Sequence, residues 1–153
     1  MSRLKDGECL VTLDWAQKFL PTSAEESQSS FYAKTGISLH VSHAATVKAG
    51  EKYHHSLIHT IDGCVQDSNS VSAIFKHGLS ILKQHGIHTV IMRSDNASCY
   101  KSAAIIGDIA SLDSDLPSVP AIIYSESQLG KVINSRNIAC LYSLIQGPCD
   151  RTT

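Results

Sequence analysis

Val71, Ile74, Phe75, Leu79 and Leu82 recur at offsets of three, four, eight and eleven residues, which puts five apolar side chains on one face of a helix. Asp67-Ser68-Asn69-Ser70 offers several N-caps ahead of it, and Gly86 closes it. His55 to Ile61, on its N-terminal side, reads as a strand that ends at Asp62-Gly63, and Ile87 to Met92, on its C-terminal side, as a buried one. This strand-helix-strand order constrains the fold more than any other feature. A helical crossover normally returns the chain parallel to an earlier strand of the same sheet.

The returning strand ends in polar residues, Arg93-Ser94-Asp95-Asn96-Ala97-Ser98-Cys99-Tyr100. Near the start of the chain a second strand, Cys9 to Leu13, runs into Asp14-Trp15. In open α/β sheets ligands collect at the carboxyl ends of strands. If these two strands are neighbours, Asp14 and Asp95 meet, and a pair of converging carboxylates is what a divalent metal site requires.

Elsewhere, Pro21 breaks regular structure, Thr22-Ser23-Ala24-Glu25-Glu26 offers a helix start, and a short helix through Ser30 to Lys34 is closed by Gly36. Ile37 to Ser42 alternates apolar with polar as a half-buried strand, and Ala49-Gly50-Glu51-Lys52 is a turn. With a short connection between the second and third strands, the first three form an antiparallel meander. Beyond Tyr100, Lys101 to Ile109 is helical, Leu112 to Pro120 a loop, and Ala121 to Tyr124 a buried strand that leads to Glu126.

With 153 residues the chain fits one domain. A net charge of −1 supplies no global attraction for phosphate, so any nucleic-acid contact is local. No apolar run approaches the ~20 residues that span a bilayer, and no secretory leader is evident, so an intracellular protein, nuclear or cytoplasmic, is expected. The five cysteines are odd in number and lack a CxxC pair, which fits reduced thiols. Eight histidines are more than usual, and three lie in Tyr53-His54-His55-Ser56-Leu57-Ile58-His59. On a strand His55 and His59 share a face about 13 Å apart, too far for one ion, so ordinary strand histidines are expected. Asp62 and Asp67 read as turn and cap residues, Trp15 as core and Cys99 as a buried thiol. Arg93 and Lys101 flank Asp95, where each could meet phosphate, face solvent or pair with nearby acids.

The resulting order, β-β-β-α-β-α-β with a mixed sheet, is that of the ribonuclease H-like fold, whose site gathers acids at adjoining strand ends and on the helix that follows. The residues themselves carry a resemblance. Asp14-Trp15-Ala16-Gln17-Lys18-Phe19-Leu20-Pro21, Gln66-Asp67, Ser94 to Tyr100, Ser125-Glu126-Ser127-Gln128 and Gly147-Pro148-Cys149-Asp150-Arg151 resemble a family of uncharacterised, mobile-element-derived animal proteins that often carry zinc fingers and are related to transposases. The similarity runs from Asp14 to Arg151. It implies an RNase H-like domain that acts on DNA by a two-metal mechanism, with Mg²⁺ or Mn²⁺ held by Asp14, Asp95 and either Asp150 or Glu126.

Two departures from that family stand out. Ser98 and Lys101 replace a glycine and a histidine of its Asp-Asn-Ala motif, and 132–146 separates Gly130-Lys131 from Gly147-Pro148, which run almost together in the family. A segment that opens on Val, whose codons begin GT, and closes on Gln, with CAG among its codons, has the borders of a retained intron. The alternative is a surface loop or an amphipathic helix built on Ile138, Leu141, Leu144 and Ile145. The chain stops at Thr153, just where the helix expected to carry Asp150 would begin. The expectation is therefore a C-terminally incomplete domain, inactive alone. The alternative function is a catalytically dead fold that acts through protein or nucleic-acid binding.

Overall fold

The computed structural model describes residues 4–16, 18–21, 25–63 and 65–125. Within them lie five strands and three helices: β1 (Glu8–Trp15), α1 (Gln28–Tyr32), β2 (Ile37–Lys48), β3 (Glu51–Asp62), α2 (Ser68–Gln84), β4 (Thr89–Ser94), α3 (Ala103–Ala110) and β5 (Ser118–Tyr124). The strands form one sheet in the order β3-β2-β1-β4-β5. β1, β2 and β3 pair antiparallel, as the meander requires, while β4 lies parallel to β1 and β5 parallel to β4. The fold is an α/β domain with a mixed sheet. The order of elements is the expected one with the short α1 between β1 and β2. Glu126, Asp150 and 132–146 lie outside the described residues.

The helical stripe behaves as its spacing predicts: Val71, Ile74, Phe75, Leu79 and Leu82 are all buried. Of the candidate caps, Asp67 is the one that works, its carboxylate accepting from the Ser70 N–H at 2.9 Å. The helix C-terminus reaches Gly86 at φ +81°, a left-handed conformation that glycine adopts without strain. Phe75, Leu79 and Leu82 pack with Cys9, Val11 and Leu13 of β1 and Val90 and Met92 of β4. α2 is tied to α3 by Lys76 Nζ on Asp108 at 2.7 Å, with the Ser72 hydroxyl donating to the same carboxylate. These contacts hold Asp108 below the usual carboxylate range.

Three boundaries differ most from the expected ones. β2 extends to Lys48 because it lies between β1 and β3, buried on both faces through most of its length, so no alternation marks its second half. The turn after it shrinks to Ala49 and Gly50, both with positive φ (52° and 82°), the arrangement of a type I′ hairpin. β5 starts at Ser118, inside the segment read as loop. Pro120 fits there because the register with β4 slips between Thr89 and Ile91, and a bulge on an edge strand has no need of the missing N–H.

Candidate functional site

β1 and β4 run parallel with Leu13 opposite Ser94. Asp14 is the next residue on β1, inside that strand rather than beyond it, and Asp95 is the next after β4. Strands paired in this way lie about 4.8 Å apart. The two aspartates thus occupy matching positions at the carboxyl ends of adjacent strands. Leu13 packs into the core under α2, so Asp14, by alternation, projects from the opposite face, where Val41 of β2 is its partner.

Asp95 is held by the loop it starts. Its Oδ1 accepts from the Ala97 N–H at 2.9 Å, an Asx turn that fixes one carboxylate oxygen. Ser125 reaches the same corner, its N–H and hydroxyl donating to the Ser94 carbonyl at 2.9 and 3.2 Å. This places the residue before Glu126 against the end of β4.

Tyr100 is the buried polar residue at this corner that the sequence did not single out. Its side chain is 1% exposed, and burial raises its phenol well above the usual range, followed in order by Cys99, Asp14 and Asp95. The phenol hydroxyl lies 3.2 Å from His40 Nε2, and His40 Nδ1 lies 3.4 Å from the Ser42 hydroxyl. Burial, then His59, lowers His40 to about 3, so the imidazole is neutral at physiological pH. Trp15 stands edge-on to it with ring centroids 4.8 Å apart. Cys99 is half-buried, its thiol pushed up first by burial and then by Asp95, the opposite of an activated nucleophile. The only signal in the sequence was the aromatic residue closing the Asp95 loop.

Of the basic neighbours, Arg93 is registered with Thr12, which puts it on Asp14's side of the sheet. Lys101 Nζ lies 5.3 Å from the centre of the Tyr124 ring. Asp67 is a cap, as expected, and Asp62 ends β3.

The histidines make contacts that a single strand could not reveal. His43 Nε2 meets His54 Nδ1 at 3.1 Å, His59 Nε2 meets His77 Nδ1 at 2.9 Å, and His55 stacks on His85 with centroids 5.5 Å apart. Burial first and the neighbouring imidazoles second lower His43 and His59.

The donor set at Asp14 and Asp95 is of hard oxygens, suited to Mg²⁺ or Mn²⁺. Among the described residues no group of three or more His, Cys, Asp or Glu side chains is placed to hold an ion. Asp14 and Asp95 supply two carboxylates, short of the three side chains of such a group.

The fold and this corner define an α/β domain with paired aspartates at the carboxyl ends of its adjacent parallel strands. Residues 1–132 match the family model described as a domain of unknown function, DUF8701, and the chain belongs to that family. No match was found among curated proteins. Among the described residues, no helix is long and apolar enough to cross a membrane.

Proposed function

We propose that this chain is an RNase H-like, transposase-related domain that acts on DNA, with Asp14 and Asp95 as the first two acids of a two-metal phosphodiester site. The carrying observation is the parallel pairing of β1 with β4, in which Leu13 opposite Ser94 makes Asp14 and Asp95 neighbours. The strand order β3-β2-β1-β4-β5 supports the same reading, as do the motif resemblances around both residues. Mg²⁺ or Mn²⁺ at such a site activates the attacking oxygen and stabilises the leaving one. The protein's own part is positioning. β1 and β4 set the spacing of the two aspartates, and the Asx turn orients Asp95. Glu126 or Asp150 supplies the third acid.

The test uses supercoiled DNA and the full chain with Mn²⁺. In a chain expected to be almost inactive alone, the expected result is at most slow, metal-dependent nicking that Asp14→Asn and Asp95→Asn abolish in proteins that still fold. Nicking that survives both substitutions contradicts the assignment. A second reading, a domain that binds without cleaving, is favoured by one observation: Asp95 already serves its own loop as a turn acceptor. DNA retention without nicking, unchanged by Asp95→Asn, selects that reading.

A further inference from the structure

We infer that the outer edge of β3 pairs with β3 of a second copy of this chain, antiparallel and about a twofold axis that passes through Leu57. Among the described residues the sheet ends at β3 on one side and at β5 on the other. The two edges differ. β5 is short, carries Pro120 and slips in register against β4, all features that discourage another strand from adding to an edge. β3 has none of them: it runs from Glu51 to Asp62, keeps one register with β2 throughout, and holds no proline and no Lys, Arg, Asp or Glu between Lys52 and Asp62. A long, regular edge of this kind is a template for strand addition.

Backbone alternation decides which residues make the new bonds. The two-residue turn at Ala49 and Gly50 makes Lys48 and Glu51 a hydrogen-bonded pair, so odd-numbered residues of β3 bond inward to β2 and even-numbered ones turn N–H and C=O outward. The Leu39 carbonyl, which accepts from the Ala16 N–H at 2.8 Å, faces away from β3, as that alternation requires. α2 leaves the edge uncovered, because its buried stripe packs on β1 and β4, further in.

Two antiparallel copies joined through even-numbered residues pair even with even, and two registers overlap nearly the whole strand. Centred on Ser56, Lys52 faces Thr60, and Asp62 hangs beyond the second strand. Centred on Leu57, Lys52 of each copy faces Asp62 of the other, at both ends of the seam. On the opposite face Tyr53, 46% exposed, then meets Ile61, and Leu57 meets itself, at positions where cross-strand side chains come closest. Neither Lys52 nor Asp62 has an ion pair among the described residues, so reciprocal charge selects the Leu57 register. The dimer uses both β3 edges and leaves only the guarded β5 edges, which closes the assembly at two.

The test is sedimentation equilibrium of the full chain in reducing buffer at low salt, at concentrations up to about 1 mM. The weight-average mass is expected to climb from one chain toward two and no further. Lys52→Asp and Asp62→Lys, both at exposed positions, are each expected to weaken association about tenfold, as two favourable pairs become two like-charge ones. The double variant exchanges the charges and is expected to restore it. Thr60→Pro, also at an exposed position, removes an outward N–H and none bonded to β2, and is expected to leave a monomer that still folds. A chain that stays monomeric throughout assigns the edge to some other occupant and overturns the inference. Association beyond a dimer, association that survives Thr60→Pro, or a double variant as weak as the single ones overturns it too. Asp14 and Asp95 take no part in this seam, so the outcome is independent of the DNA-nicking test.

Discussion

Tyr100→Phe removes one oxygen from a sealed site and leaves His40 Nε2 without its partner. A buried polar atom stripped of its hydrogen bond costs about 1–3 kcal/mol. The urea midpoint should fall accordingly; an unchanged midpoint would show that the phenol and imidazole do not support each other. His40 also sets a direction for pH dependence. It faces Tyr100, Ser42, Trp15 and His59 and is held down to about 3, whereas an unfolded imidazole titrates near 6.5. Between those values the unfolded chain binds the proton and the folded one does not. Stability is thus full above pH 6.5 and is lost as pH falls from there toward 3, by about 2 kcal/mol between pH 8 and pH 5 from this residue alone. Urea midpoints at the two pH values check this, and His40→Gln should flatten the difference.

The elements were legible where one face is buried and the other is not. α2 is such a case, and its stripe located both the crossover and the helix ends to within a few residues. β2 is the opposite case: with both faces covered, His43, Ala44 and Thr46 are all buried, and nothing in their order distinguishes strand from loop. The hairpin beyond it yields a prediction. Ala49 sits at φ 52°, where a Cβ is crowded by its own backbone at a cost of about 1–2 kcal/mol. Ala49→Asn creates the Asn-Gly pair favoured in type I′ turns and should stabilise the protein by about 1 kcal/mol, read as a higher Tm. A lower Tm would mean that the hairpin is built differently. In α2, Leu79→Ala should cost about 2–5 kcal/mol of unfolding free energy, since its side chain is fully buried. Ile106→Ala on the exposed side of α3 should change it little, and equal losses would contradict the assignment of the core.

At the scale of the whole molecule, the pairing of distant strands was readable from one rule, that a helical crossover returns the chain in parallel. It brought Asp14 beside Asp95 across 81 positions of sequence without any local signal linking them. The same reasoning could not find the histidine pairs, because their partners lie on other elements, or Tyr100 as a buried neighbour, because burial of a loop residue leaves no periodic trace. The proposed third acid, Glu126 or Asp150, rests on the resemblance alone and lies outside the described residues. The proposed chemistry requires that one corner of the sheet gather carboxylates around an ion. Anomalous diffraction from crystals soaked in Mn²⁺ examines that corner directly. A peak within bonding distance of both Asp14 and Asp95, lost in Asp95→Asn, is the predicted result; density for Mn²⁺ only elsewhere, or aspartates turned to opposite faces of the sheet, would contradict it.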